Sequence, residues 1–219
     1  MALVVFLTVP LSSPAFGWSN GSEGYNSFGA HDWILAKALQ GAGSPGWVNK
    51  TIALRATDDP DSKDGISYAS GTWWHVWDRW GATYGGAPEA AGYWFRVVKQ
   101  RRADGNKKGA SRALGMLAHI VGDIGNPTHT DSTDREDRMH SAHESATDGR
   151  LGSFRFSFDG ERTRRPVSAV KALANRSHKD YYGLVKEYTR YGYNSRVQGI
   201  TQRSLNRASN YLADLILSL

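Results

Sequence analysis

The stretch ALGMLAHIVGDIGNPTHTD, residues 113–131, decides the fold of this chain, because it combines an apolar pattern with side chains that bind metals. His119 and Asp123 lie four residues apart within it, and residues four apart share one face of an α-helix. The stretch therefore predicts a helix that presents an imidazole and a carboxylate on the same side, in an apolar setting.

The same spacing recurs in HSAHE, residues 140–144, where His140 and Glu144 are again four residues apart on a second predicted helix. Between the two helices, Asn126-Pro127 ends the first one, because a residue before proline avoids helical geometry. His129 then lies in the loop just beyond that end. The density of these side chains indicates a metal site.

The composition limits which chemistry is available. The chain has 219 residues, enough for one well-buried domain, and its eight Trp and ten Tyr exclude a disordered chain. It has no cysteine, so disulfides and thiolate zinc sites are excluded, and a metal must use imidazole, carboxylate or backbone groups. The net charge of +6 gives a weak preference for anionic partners.

The first 17 residues, MALVVFLTVPLSSPAFG, are apolar and uncharged, and they are too short to span a bilayer. With small Ala15 and Gly17 near the end, they predict a secretory signal peptide whose cleavage leaves Trp18 as the first residue of a domain at 18–219. The alternative is a buried N-terminal strand.

The rest of the chain predicts one mostly α-helical domain. Apolar periodicity, caps and breakers predict helices at 28–39, 44–57, 88–102, 107–124, 138–147, 166–175, 178–191 and 195–217. Ser44 is the predicted N-cap of the second helix, with Pro45 in its first turn. The alternation in GSFRFSFD, residues 152–159, predicts a strand and a short hairpin near 152–165.

Six histidines are plausible metal ligands, and the chain also offers an acidic loop that begins at Asp58: the histidines are His31, His75, His119, His129, His140 and His143. A single histidine is more often a surface or core residue, but two spaced pairs and a loop histidine favour a cluster. Asp123 is the natural bridge between two metals, since an unpaired carboxylate in an apolar helix is costly. His143 competes with Glu144 as the partner of His140.

With these residues in order, the chain resembles the secreted bacterial zinc-dependent phospholipase C family, whose fold is akin to that of three-zinc single-strand nucleases. The resemblance runs from Trp18 to about Asp148. It rests on Trp18 itself and on the motifs NSFGAHDWI, RATDDPD, TWWHVWD, HIVGDIGNPTH and HSAHE. It implies an all-α, single-domain bundle of that type.

The resemblance also implies three zinc ions. One zinc would take Asp58, His75, His119 and Asp123. A second would take His129, His140 and Glu144. The third would be chelated by the α-amino nitrogen and carbonyl oxygen of Trp18, with His31 and the bridging Asp123.

By the same resemblance, the protein is expected to be a secreted phosphodiesterase that hydrolyses phospholipids at the glycerol-phosphate bond with metal-activated water. Asp58 would orient that water or take its proton. The substrate partner would be a phospholipid or membrane surface, and no obligate protein partner is implied. Gly21, Asp59 and Thr72 stand where the family binds a choline headgroup, so the usual choline pocket is not expected.

Two alternatives remain open from the sequence. A three-zinc nuclease is favoured by the basic balance and by the Trp-rich segment at 73–80, which could stack bases on nucleic acid. Against it, the second site ends in Glu144, where those nucleases usually have Asp. A zinc-stabilised binding module without turnover is the other alternative.

Overall fold

The computed structural model describes residues 27–78, 84–131, 137–160 and 165–219. This part of the chain contains eight α-helices, connected by loops and short 3-10 turns. These ranges contain no strand, so the predicted all-α class is confirmed. The predicted signal peptide and Trp18 lie outside them. The helices are α1 (Ala30–Gly41), α2 (Lys50–Arg55), α3 (Asp59–Ser62), α4 (Ala87–Ala103), α5 (Lys107–Gly125), α6 (Asp137–Asp148), α7 (Pro166–Tyr191) and α8 (Ser195–Leu217).

Helix α5 is the centre of the fold. Asn106 caps it by accepting a hydrogen bond from the Gly109 amide at 2.8 Å. Almost every residue from Ala110 onward is buried, because α1, α2, α4, α7 and α8 all contact α5. Leu114 and Leu117 are fully buried, and each such side chain contributes about 1.5–3 kcal/mol through burial. No helix in the described ranges is long and apolar enough to cross a membrane.

Helix α2 approaches α5 closely because position 115 carries no side chain. A Cβ atom on Gly115 would lie 2.4 Å from the Ala53 carbonyl oxygen. Helix α2 is shorter than the predicted 44–57, since Asn49 is its N-cap and accepts a hydrogen bond from Ile52. Ser44 instead adopts a left-handed φ of 51°, which belongs to a turn and not to an N-cap.

Helix α7 is continuous where the sequence predicted two helices, 166–175 and 178–191. Ser177 lies in the middle of α7 and is buried, and its hydroxyl donates to the Gly125 carbonyl at the end of α5. The stretch contains no proline, and its serine serves a tertiary contact, so the helix has no reason to break there.

The strand predicted at 152–159 is wrong, because residues 154–159 form neither strand nor helix, while residues 161–164 of the predicted hairpin lie outside the described ranges. Instead of pairing with a strand, alternate backbone groups of this segment bond to amide side chains on α8. Gln202, Asn206 and Asn210 accept from the amides of residues 155, 157 and 159 at 2.8–3.0 Å. The period of two in the segment matches the four-residue spacing of the α8 amides, which lie on one face.

We expect Asn210→Ala to lower the free energy of unfolding by about 1–3 kcal/mol. Buried Asn210 serves three groups, since it accepts from Asp159 and donates to the carbonyls of Ser157 and Asn206. Urea denaturation measures the change. Gln198→Ala is the control, because Gln198 makes only a 3.4 Å contact with Ser153, and its effect should stay within about 0.5 kcal/mol. Equal effects of the two variants would contradict this role of the Asn210 side chain.

Candidate metal centre

Eight side chains from four helices and two short turns converge around the second half of α5. They form three groups in which the ligand atoms lie within 4.8 Å of one another. We call these the His75 group (His75, His119, Asp123), the His31 group (His31, Asp61, His119) and the His129 group (His129, His140, Glu144). All but Asp61 are buried.

The His75 group is the tightest of the three. Asp123 Oδ2 lies 2.8 Å from His75 Nδ1 and 3.1 Å from His119 Nε2. The two ring nitrogens are themselves 3.0 Å apart. His75 follows the 3-10 turn Thr72–Trp74, whereas His119 and Asp123 share one face of α5, as their spacing predicted.

Backbone carbonyls fix which nitrogen of each ring carries a proton. The Thr57 carbonyl oxygen lies 2.7 Å from His119 Nδ1, and the Ala69 carbonyl oxygen lies 2.7 Å from His75 Nε2. Because a carbonyl only accepts, these nitrogens must be the N–H donors. The opposite nitrogen of each ring then faces Asp123. With both rings neutral, two lone pairs and a carboxylate oxygen would repel one another unless a proton or a metal cation lies among the three atoms, and this is the orientation of metal-ligating histidines.

The His129 group repeats this pattern. His129 Nδ1 donates to the His75 carbonyl at 2.7 Å, so its Nε2 lone pair faces His140 Nε2 at 3.0 Å. Glu144 Oε1 lies 2.6 Å from His140 Nε2. Asn126, which the sequence marked only as a helix end, donates from Nδ2 to the same oxygen at 3.0 Å and orients the carboxylate.

His31 begins α1 and is completely buried against α5. Both of its ring nitrogens lack a hydrogen-bond partner among the described residues, as does Asp123 Oδ1, which lies 3.4 Å from His31 Nε2. The ring stacks on His119 with centroids 4.0 Å apart. Buried polar atoms without partners are costly, and a bound cation would satisfy them. The donor set thus fits a metal.

Asp61, and not Asp58, occupies the position beside these histidines. Asp61 Oδ1 lies 3.4 Å from His119 Nε2 and 3.6 Å from His75 Nδ1. Asp58 directly precedes α3, is buried beside Thr57, and belongs to none of the three groups. The acidic loop contains several aspartates close together in sequence, and the course of α3 decides which of them faces the histidines. Asp59 is held by salt bridges to Lys63 and Arg112.

His143 does not join the His129 group. Its Nε2 donates to the Thr201 hydroxyl on α8 at 2.9 Å, because that hydroxyl in turn donates to the Val197 carbonyl. Burial, together with nearby His140, lowers the pKa of His143 to about 3. The ring is therefore a neutral core residue.

The electrostatics of the site favour a cation next to Asp123. Burial alone would raise the pKa of Asp123, but His119 and His75 hold it well below its usual range. Burial likewise disfavours the charge on His119, yet the Asp123 and Asp61 carboxylates raise its pKa well above the ordinary value. Glu144 behaves differently, since burial raises its pKa well above that of a free glutamate. The charge shifts thus favour a positive charge beside Asp123, where a bound metal would supply it.

Two carboxylates hold the start of α1 and thereby position His31. The Ala30 amide donates to Asp148 Oδ1 at 2.9 Å, and the Gly29 amide donates to Asp32 Oδ2 at 3.1 Å. Burial raises the pKa of Asp32 to about 7, although the Gly29 amide lowers it. Asp148 belongs to α6, the helix that carries His140 and Glu144, so one hydrogen bond links two groups of the site.

Comparison with known proteins identifies the fold. No protein-family model and no curated protein matches the chain. Among solved structures, the alpha-toxin from Clostridium absonum matches 90% of this chain and 65% of its own, with a TM-score of 0.70 and 17% sequence identity. An alpha-toxin of Clostridium perfringens from avian strain SWCP gives 0.69 and 13%, over 89% and 64%. The chain shares their fold and spans less than two thirds of their length.

We expect Gly122→Ala to weaken metal binding about tenfold or more. A Cβ atom at this position would lie 2.6 Å from His31 Nδ1, so the ring must shift away from Asp123. Titration with zinc, followed by calorimetry, measures the affinity. Gly152→Ala is the matched control because nothing lies within 4 Å of its Cβ position. Unchanged affinity in the first variant would show that His31 is not a ligand.

We expect Asp61→Asn to lower the metal content by about one ion per chain, because an amide is a poor replacement for an anionic ligand. Asp58→Asn should keep the full content. Elemental analysis after dialysis distinguishes the two variants. Loss of metal in Asp58→Asn alone would restore the assignment made from the sequence.

Proposed function

We propose that this chain is a zinc-dependent phosphodiesterase that hydrolyses phospholipids at the glycerol-phosphate bond. The observation that carries the proposal is the convergence of histidine lone pairs, fixed by backbone carbonyls, on the buried carboxylate of Asp123. The resemblance of the motifs to the zinc-dependent phospholipase C family supports it. The fold shared with two clostridial alpha-toxins supports it further.

Three zinc ions are proposed, with donor sets that follow the resemblance except at one aspartate. The first would be held by Asp61, His75, His119 and Asp123. The second would be held by His129, His140 and Glu144. The third would be held by His31, Asp123 and the terminal amino group and carbonyl of Trp18, a residue outside the described ranges. Compared with the assignment from the sequence, Asp61 replaces Asp58.

Zinc, when bound, supplies Lewis-acid chemistry that lowers the pKa of water and neutralises charge on phosphoryl oxygens. The protein contributes a fixed and largely dry arrangement of donors. Asp61 differs from the other carboxylates because its side chain is 14% exposed, whereas that of Asp123 is fully buried. We therefore assign Asp61, and not Asp58, the role of orienting the attacking water and accepting its proton.

Secretion belongs to the same proposal. Cleavage after Gly17 would remove the apolar leader and create the α-amino group of Trp18. The third zinc site would then be completed only by processing, which would keep the unprocessed chain an incomplete enzyme inside the cell.

A panel of substrates tests the activity. We expect the processed chain to release phosphorylated headgroups from phospholipids, to lose this activity with a chelator, and to regain it with zinc. Asp123→Asn should lower zinc content and activity together, since the bridging charge is lost. Full activity with full zinc in that variant would contradict the assignment.

The same panel separates the alternatives. Release of nucleotides from single-stranded DNA, without headgroup release, would identify a nuclease. Zinc-dependent stability without turnover of any substrate would identify a binding module.

A further inference from the structure

Six aromatic side chains lie on and beside the loop that connects Asp61 to His75. We call this set the aromatic belt, and it consists of Tyr68, Trp73, Trp74, Tyr84, Tyr93 and Trp94. Both ends of the loop, Asp61 and His75, belong to the candidate metal centre, so the belt borders that centre. Trp73 and Trp74 directly precede His75 in the chain.

Ring contacts join the members of the belt. Tyr68 stacks on Tyr93 with centroids 4.5 Å apart and lies 4.8 Å from Trp74. Tyr93 meets the edge of Trp94 at 5.1 Å. At the other end, Trp73 meets the edge of Tyr84 at 5.2 Å. The belt therefore consists of two packed clusters of rings. They adjoin at Trp73 and Trp74, which are neighbours in the chain and both lie within 2.5 Å of the Cβ position of Gly86.

Three rings of the belt face outward although each is large and mostly apolar. Tyr68 is 39% exposed, Trp73 is 43% exposed and Tyr84 is 48% exposed. Grouped exposed apolar surface marks an interaction site, whereas single exposed rings do not. Tyrosine and tryptophan combine an apolar body with a polar tip, and this combination suits the headgroup level of a bilayer.

The backbone holds Tyr68 in an unusual conformation. Its φ of 57° lies in the left-handed region, which side-chain-bearing residues rarely adopt. The Trp94 indole donates to the Tyr68 carbonyl at 2.9 Å and stabilises this conformation. Strain of this kind persists where the surrounding structure imposes it, and it is common at binding sites.

On the side of the loop that carries Tyr68, the charge argues against a polyanion as the partner. Residues 58–68 contain four aspartates and a single lysine, Lys63. That lysine pairs with Asp59, and Arg112 pairs with the same carboxylate. Binding of nucleic acid depends on cations that contact phosphates. A zwitterionic lipid interface makes no such demand.

We propose that the aromatic belt is the surface by which this protein docks on a zwitterionic phospholipid interface, with the candidate metal centre at its border. The inference rests on the proposed phospholipid hydrolysis and adds the surface that delivers the substrate. Docking places the ester to be cleaved next to the metal centre without requiring the lipid to leave the bilayer fully.

The test uses the processed chain, which begins at Trp18, and a variant of it that combines Tyr68→Ala, Trp73→Ala and Tyr84→Ala. Vesicles of mixed phosphatidylcholine and phosphatidylethanolamine report binding by co-sedimentation in the presence of chelator. Turnover is measured with zinc on the vesicles and on a short-chain monomeric phospholipid. We expect vesicle binding to weaken about tenfold or more, and the loss of turnover on vesicles to exceed the loss on the monomeric lipid by a similar factor.

Tyr191→Ala is the matched control. Tyr191 is 59% exposed and packs on Arg190 at the end of α7. It lies 20 residues along α7 from Lys171, whose ammonium packs over Trp77, three residues after Trp74 in the chain. At 1.5 Å per residue, Tyr191 is about 30 Å from Lys171. This variant should bind vesicles as the unmodified chain does. Thermal melting confirms that all variants are folded.

The possible outcomes separate docking from catalysis. Vesicle binding that survives in the triple variant overturns the proposal, and so does an equal loss of turnover on vesicles and on monomeric lipid. Loss of binding to a single-stranded oligonucleotide, with vesicle binding intact, would assign the belt to nucleic acid. If the unmodified chain binds vesicles through the belt but hydrolyses neither lipid, docking stands and the proposed function fails.

Discussion

The carboxylate of Asp123 is the constraint on which the rest of the structure depends. It is fully buried in the central helix, where an isolated charge would cost far more than the fold can supply. His75 and His119 surround it within 3.1 Å and keep it ionised. The α3–α4 connection must therefore pass directly over α5 to bring His75 there. The course of this connection and the geometry of the site are therefore set by the same need to place His75 beside Asp123.

Irregular backbone meets this requirement in a way that a regular helix could not. The carbonyls of Thr57, Ala69 and His75 each receive a ring N–H, and all three lie outside the α-helices or at their ends. Carbonyls inside a helix are already bonded to the helix itself. The loop that supplies the Ala69 carbonyl also presents the aromatic belt, so the same backbone orients a ligand on its inner side and an interaction surface on its outer side.

Local patterns predicted the parts of the molecule that depend on neighbours in sequence. The bounds of α5 and α8 and the pairing of His119 with Asp123 follow from periodicity, caps and four-residue spacing. The strand predicted at 152–159 failed because its partner is distant in sequence: residues 154–159 have the pattern of a strand, but they bond to a row of amides on α8. The choice between Asp58 and Asp61 also depends on distant contacts, since both belong to one acidic stretch and Asp61 is the one that lies beside His119 and His75.

The three groups also differ in how the protein stabilises them without metal. In the His75 and His129 groups, histidines and carboxylates bond to one another, so part of the cost of burial is offset. His31 gains less, because its nearest carboxylate oxygen, Asp123 Oδ1, lies 3.4 Å from Nε2 without forming a hydrogen bond, and each unsatisfied buried nitrogen costs about 1–3 kcal/mol. The hydrogen bonds that Asp148 and Asp32 accept at the start of α1 keep the ring in place despite this cost. A cation bound at one ring nitrogen would reduce the penalty, so occupation of this group should stabilise the fold more than its few donors suggest.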